Sequence, residues 1–205
     1  MSVRIPTGRP RHLVAGAALA LLLAGCGGAP APAPSVTAPA TAPVTSAPAA
    51  GATALAGSRP ERVVIPALDV DGAMMDLGLQ DDGTMEVPPD GTTAGWYSLS
   101  PTPGEIGPAV LAAHVDWKGE PGVFFRLRDT EPGDEVQVRR ADGTTAVFTV
   151  DRVEQYAKDS FPSDAVYGDV DRAELRLITC GGEFDDGSGD YEDNIVVYAH
   201  LTGTV

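Results

Sequence analysis

The chain has 205 residues, with 14 Lys+Arg against 29 Asp+Glu and a formal net charge of −15. That length suggests one folded domain with appendages rather than two domains. A chain this acidic repels nucleic acid and anionic lipid, which argues against both as partners, and solubility alone accounts for the charge.

The charge is unevenly placed. The first 58 residues carry Arg4, Arg9 and Arg11 and no acid, so all of the acidity lies beyond them. Those arginines form a basic leader to the apolar run Leu13 to Ala24. The run is too short to span a bilayer as a helix and suits the h-region of an export signal. It ends on Leu23-Ala24-Gly25-Cys26, which resembles the bacterial lipobox. The resemblance implies a lipoprotein signal peptide over residues 1–25, cleaved before Cys26, and lipidation of Cys26. Two or more acyl chains then give stable membrane anchoring. The expected location is the extracytoplasmic face of the cell membrane. An ordinary signal peptide with a chance cysteine is the alternative.

Residues 27–58 hold six prolines, twelve alanines and no charged side chain. Such composition cannot bury enough apolar surface to fold, so 26–58 reads as a lipidated cysteine followed by a disordered linker. The folded domain is then 59–205.

From Arg59 onward, short apolar runs alternate with Gly, Pro and Asp clusters, an all-β signature. "RVVIP" at 62–66 opens the series, followed by "LDVDGAMMDLGL" and by "DDGTMEVP", where Asp82-Gly83 marks a hairpin. "PAVLAAHVD" at 108–116 is apolar up to His114 and reads as a strand buried on both faces. A second hairpin is expected around Asp142-Gly143, between "DEVQVRR" and "TTAVFTVDRVEQY". "AELRLITC" at 173–180 and "NIVVYAHL" at 194–201 complete about eight strands, the number of a small closed barrel. Helix is scarce, with at most one or two turns in "GVFFRL" at 122–127.

Chemistry concentrates in few residues. If Cys26 is lipidated, Cys180 has no partner in the chain, and a lone thiol outside the cell suggests a reactive group or an intermolecular pair. A small buried hydrophobe is the plainer reading. Of the three histidines, His12 leaves with the signal and His200 sits in the last strand, where exposure is expected. His114 closes a buried strand. A cysteine ending one strand and a histidine ending another are the parts of an activated thiol nucleophile.

These segments resemble the sortases, the cysteine transpeptidases of Gram-positive surfaces, in particular the class E/F type of actinobacteria. "LITC" at 177–180 matches the family's TLxTC strand and "AHVD" at 113–116 its GHxD. "IPALDVD" at 65–71, "GWYSLSPTPGEIGPAVLAAH" at 95–114, "FPSDAVYG" at 161–168 and "NIVVYA" at 194–199 extend the match over most of residues 60–202. The resemblance implies an all-β, eight-stranded sortase barrel with few short helices. It implies Cys180 as nucleophile and His114 as acid/base. It also implies a surface-protein sorting signal of LPxTG or LAxTG type as substrate, and an amine on peptidoglycan or pilin as acceptor. An unperturbed thiol is only roughly 3% thiolate at neutral pH, and a nearby imidazolium would raise that fraction. Gly181-Gly182 either let a peptide approach the nucleophile or form a turn after the strand.

The chain departs from the family at its third site residue. Where the last strand should carry an arginine stands Asn194, with Glu192 two residues before it, and no arginine follows Cys180. Asn194 is therefore the expected oxyanion donor, neutral and weaker than a guanidinium. Arg126 and Arg176 are the alternative sources of charge. Ala113 in place of glycine is a smaller departure. Asp116 either orients the imidazole or belongs to a turn. The loop "EFDDGSGDYED" at 183–193 is rich in acids but lacks the EF-hand spacing. It reads as a solvated acidic loop, with no metal and no cofactor expected. The alternatives to a transpeptidase are a hydrolase of the same fold and a weak or inactive peptide-binding module.

Overall fold

The computed structural model describes residues 52–205, so the expected signal peptide, Cys26 and most of the Ala/Pro-rich segment lie outside the described residues. Strands form where apolar and β-branched residues run between turn residues. They are β1 (Pro60–Ile65), β2 (Val70–Leu77), β3 (Ala94–Tyr97), β4 (Gly107–Ala112), β5 (Asp116–Trp117), β6 (Glu120–Pro121), β7 (Glu135–Arg140), β8 (Thr145–Ala157), β9 (Ala173–Asp185) and β10 (Asp190–Thr204). Eight of them close into a barrel in the order β1-β2-β3-β4-β9-β10-β8-β7, while β5 and β6 form a separate ribbon. The β2–β3 and β4–β9 pairs are parallel. Among the described residues, α-helix is confined to α1 (Ser163–Tyr167), with short 3₁₀ turns at Pro66–Leu68, Leu127–Asp129 and Lys158–Ser160. This is the all-β barrel with few short helices expected from the sequence.

The expected β7–β8 hairpin is present, with Gly143 at φ 84° in its turn. The hairpin expected at Asp82-Gly83 is reduced to one bridge, Leu79 to Met85. Pro88 and Pro89 follow directly, and prolines cannot donate to a ladder, so no strand develops there.

Alternation along the central strands builds two apolar layers. Ala109, Leu111, Leu175, Leu177, Val197 and Ala199 point into the barrel with Val63, Phe124 and Phe148. Their neighbours Val110, Ala112, Ile178, Val196 and Tyr198 point outward and are covered by Leu77, Met85, Tyr97 and Val166. β4 is therefore buried along its whole length, as its unbroken apolar run predicts. Cys180 and Asn194 continue the outward row, so both candidate site residues lie on the barrel's outer face.

The end of the segment read as linker is ordered on the barrel. The Leu55 N–H donates to Gly104 O (2.8 Å), Arg140 Nη2 donates to Ala56 O, and Ser58 N–H donates to Thr102 Oγ1 (3.0 Å). Leu55, the large apolar side chain of that stretch, packs against the interior layer and supplies the reason.

Candidate active site

Strand register brings the predicted residues together. β4 and β9 run parallel with Ala112 opposite Ile178, so His114 comes level with Cys180 two residues further on. Thr179 Oγ1 donates to Ala113 O (2.8 Å) and Ala113 N–H donates to Ile178 O (3.2 Å), which ties the strand ends at that level. Across the antiparallel β9–β10 and β10–β8 ladders, Cys180 faces Asn194 and Asn194 faces Tyr156. Ala113 itself is fully buried, with its methyl in the interior layer, so its replacement of glycine leaves the strand end undisturbed.

Cys180 and His114 line one cavity of about 240 Å³ together with Val115, Asp116, Trp117, Lys118, Phe184, Gly189, Asp190 and Tyr191. The thiol is 7% exposed. Burial pushes its pKa up; the charge and N–H groups of Lys158 pull it down, and Asp190 opposes them. Lys158 opens the 3₁₀ turn directly after β8, and its ammonium pairs with Asp190 Oδ2 at 2.7 Å. Burial works against ionisation of Asp190, yet the hydrogen bond and charge of Lys158 and the Tyr191 N–H hold its carboxyl below the usual range.

His114 Nε2 lies 2.8 Å from Pro88 O. A carbonyl only accepts, so Nε2 carries a proton and Nδ1 is the nitrogen available for exchange. The ring leans on Trp117 at 4.6 Å between centroids. Behind it, the loop closes tightly on the His114 carbonyl, which accepts from Phe124 N–H (3.2 Å). A Cβ on Gly122 would sit 2.2 Å from that oxygen, so only glycine permits this approach.

Other residues depart from their expected roles. Asp116 does not orient the imidazole: it accepts a hydrogen bond from Tyr191 Oη, which pushes that phenol up to about 12, with burial and the carboxylate's charge adding to the effect. Gly181-Gly182 do not form a turn, because β9 continues to Asp185. A Cβ on Gly181 would meet Ile195 Cγ1 at 2.7 Å, and Gly182 takes φ 78° beside the register shift between Tyr191 and Asp193. At both positions the missing Cβ lets the strands fit each other, against Ile195 and Asp193.

Arg176 is 3% exposed, bound to Glu174 Oε2 (2.5 Å) and stacked on Tyr198. It lies four residues before Cys180, about 13 Å along the strand, and is out of reach. Arg126 pairs with Asp129 (3.2 Å) and lines a neighbouring cavity with Arg128 and Tyr191. His200 is half-buried rather than exposed, because β10 runs on to Thr204 between β8 and β9 and brings Nδ1 to Asp151 Oδ1 (2.7 Å). In the acidic loop, Asp185 accepts from Gly187 N–H (2.8 Å), and Asp193 accepts from Gln155 Nε2 (2.5 Å).

Asn194 is 1% exposed, and neither Oδ1 nor Nδ2 has a hydrogen-bond partner among the described residues. Such an orphaned buried amide costs about 1–3 kcal/mol and calls for an explanation. Lys158, Asp190 and Tyr191 were missed from sequence. The acids were read as a solvated run, and nothing in "YAKDS" marks its lysine as facing a thiol 22 residues later.

The Sortase domain family model matches residues 63–202. The chain belongs to the sortase family. No curated protein matches the sequence. Among solved structures, the SrtA sortase of Actinomyces oris matches with TM-score 0.55 at 22% identity, over 74% of this chain and 84% of that one. Sortase A of Corynebacterium diphtheriae gives 0.55 at 18% identity, over 72% of this chain and 63% of that one. Sortase C of Streptococcus pneumoniae gives 0.54 at 19% identity, over 73% and 69%. At these identities the likeness is one of fold, and it makes the closed barrel a sortase barrel.

Proposed function

We propose that this sortase is a class E/F-like cysteine transpeptidase, lipid-anchored through Cys26 at the outer face of the cell membrane. The observation that carries the reading is the meeting of Cys180 and His114 at the level ends of two paired strands, on one cavity. The Cys180 thiolate attacks the backbone carbonyl carbon of threonine in an LPxTG- or LAxTG-like signal. A C–S bond forms and the carbonyl electron pair moves to oxygen. When that pair returns, the C–N bond breaks, and His114 delivers a proton from Nδ1 to the departing amine. An amine of peptidoglycan or pilin then attacks the thioester, gives up a proton to His114 and releases the thiolate. The unpartnered amide of Asn194, directly across from Cys180, supports its role as a neutral oxyanion donor.

A second reading is a sortase-like module that binds peptides with weak or no turnover. It draws on the amide at the arginine position and on the burial that pushes the Cys180 thiol up. The test is incubation of the full chain with a panel of sorting peptides and an amine, followed by mass spectrometry. A peptide thioester on Cys180 and an amine-linked product support transpeptidation. Hydrolysed peptide in the presence of amine supports the hydrolase, and no product with a reactive Cys180 supports the binding module.

A further inference from the structure

We propose that Lys158 is a catalytic residue of this chain: its ammonium, held at the cavity by Asp190, supplies the positive charge that stabilises the Cys180 thiolate. The proposal rests on the reading that Cys180 reacts as a thiolate. It starts from register. Tyr156, Asn194 and Cys180 stand in one row across β8, β10 and β9 on the outer face. Lys158 lies two residues beyond Tyr156, where the chain leaves its last ladder pair, Ala157 with Asp193, and turns into the 3₁₀ segment. That turn brings the side chain toward the strand that carries the thiol.

The ammonium is well placed for such a role. Its Nζ is buried and sits 2.7 Å from Asp190 Oδ2, and Asp190 lines the same cavity as Cys180 and His114. Beyond that ion pair, Nζ has no hydrogen-bond partner among the described residues. An ammonium has three protons, so one pair to Asp190 leaves two to meet a thiolate or a developing oxyanion. A point charge on a flexible stem needs no fork geometry to do this, which is where it differs from a guanidinium. The other cations fail on position: Arg176 is bound to Glu174 well below the site, and Arg126 faces another cavity. Lys118 lines the cavity, but it is exposed and lies over the Trp117 ring at 5.4 Å.

Asp190 gives the arrangement a measurable signature. It anchors Lys158 and also sets a negative charge beside the thiol, so the two partners act on Cys180 with opposite signs. A salt bridge that only holds the fold has no such opposition. The groups facing Cys180 are Lys158 from the turn after β8, Asp190 and Tyr191 from β10, and His114, Asp116 and Lys118 from the segment after β4.

The experiment is the pH profile of iodoacetamide alkylation in the full chain, read at Cys180 by peptide mass spectrometry. Lys158→Gln is expected to slow alkylation near neutral pH by about ten-fold and move the inflection up by about one unit. Lys158→Arg is expected to restore most of the rate, and Asp190→Asn to move the inflection down. Should the Gln variant melt before assay, Lys158→Met serves in its place. Shifts of Lys158→Gln and Asp190→Asn in the same direction overturn the proposal, as does a Lys158→Gln profile equal to wild type. So does a loss seen with Lys118→Gln in place of Lys158→Gln. No sorting peptide enters this assay, so opposed shifts in a chain that cleaves none uphold the lysine's role and refute the transpeptidase reading instead.

Discussion

Replacing Asn194 with leucine separates stability from function at one position. The amide is 1% exposed with both polar atoms orphaned, so the native fold carries a desolvation penalty of about 1–3 kcal/mol. Its outward-facing neighbours along β10 and β9 are Val196 and Ile178, both buried. A side chain of similar volume without polar atoms removes the penalty and adds apolar contact. The small overpacking from a branched tip offsets about 1 kcal/mol of that gain. The net is up to about 2 kcal/mol of added stability, or a Tm higher by up to about 8 °C for a domain of this size. The same change removes the donor facing Cys180, so kcat/KM toward a sorting peptide is expected to fall by about ten- to a thousand-fold. Differential scanning calorimetry and a peptide-cleavage assay on the full chain read the two effects. A lower Tm refutes the account of the orphaned amide, and unchanged kcat/KM refutes its role as oxyanion donor.

Four further outcomes are expected, three from the geometry and one from the sequence. Cys180→Ala and His114→Ala each abolish thioester formation, and Cys180→Ala removes the alkylatable thiol of the barrel, as mass spectrometry will show. Gly181→Ala forces a Cβ to 2.7 Å from Ile195 Cγ1 and is expected to lower stability by about 1–3 kcal/mol in urea titration. Burial of Glu174 works against its charge, but hydrogen bonds and charges from Arg172 and Arg176 hold its carboxyl below the usual range. A depressed folded-state pKa adds stability above the unfolded value that is lost as pH falls through the folded one; Glu174→Gln is therefore expected to flatten the acid limb of a stability profile below about pH 4.5. Finally, Cys26→Ser is expected to move the full chain out of the detergent phase, and a variant that stays there rules out lipidation at that residue.

The barrel was legible because its strands carry strong signals. The unbroken apolar run 108–113 announced a strand buried on both faces, and Asp142-Gly143 announced a hairpin. The pairing of His114 with Cys180 was reachable only through resemblance, because parallel pairing of β4 with β9 leaves no mark in either segment. The cation beside the thiol was not legible. Lys158 reads as one charge in a polar stretch, and its meaning depends on a turn that only the closed barrel defines. Asp116 failed for a related reason: proximity to His114 in sequence suggested a partner, while the β5–β6 ribbon turned it toward Tyr191. Glycine is ambiguous in sequence, and at Gly181 the deciding contact is a side chain from the next strand.

The parallel joint between β4 and β9 also sets when the site exists during folding. Cys180 and Asn194 belong to one hairpin whose strands are separated by a short turn, so they meet through local pairing. His114 reaches them only when segments 66 residues apart close on each other, as the Thr179–Ala113 hydrogen bond records. Non-local and parallel pairings form slowly because loop closure precedes any gain from contacts. A folding chain therefore brings its thiol and its amide together before His114 joins them, and the candidate site is complete only with the step that shuts the barrel.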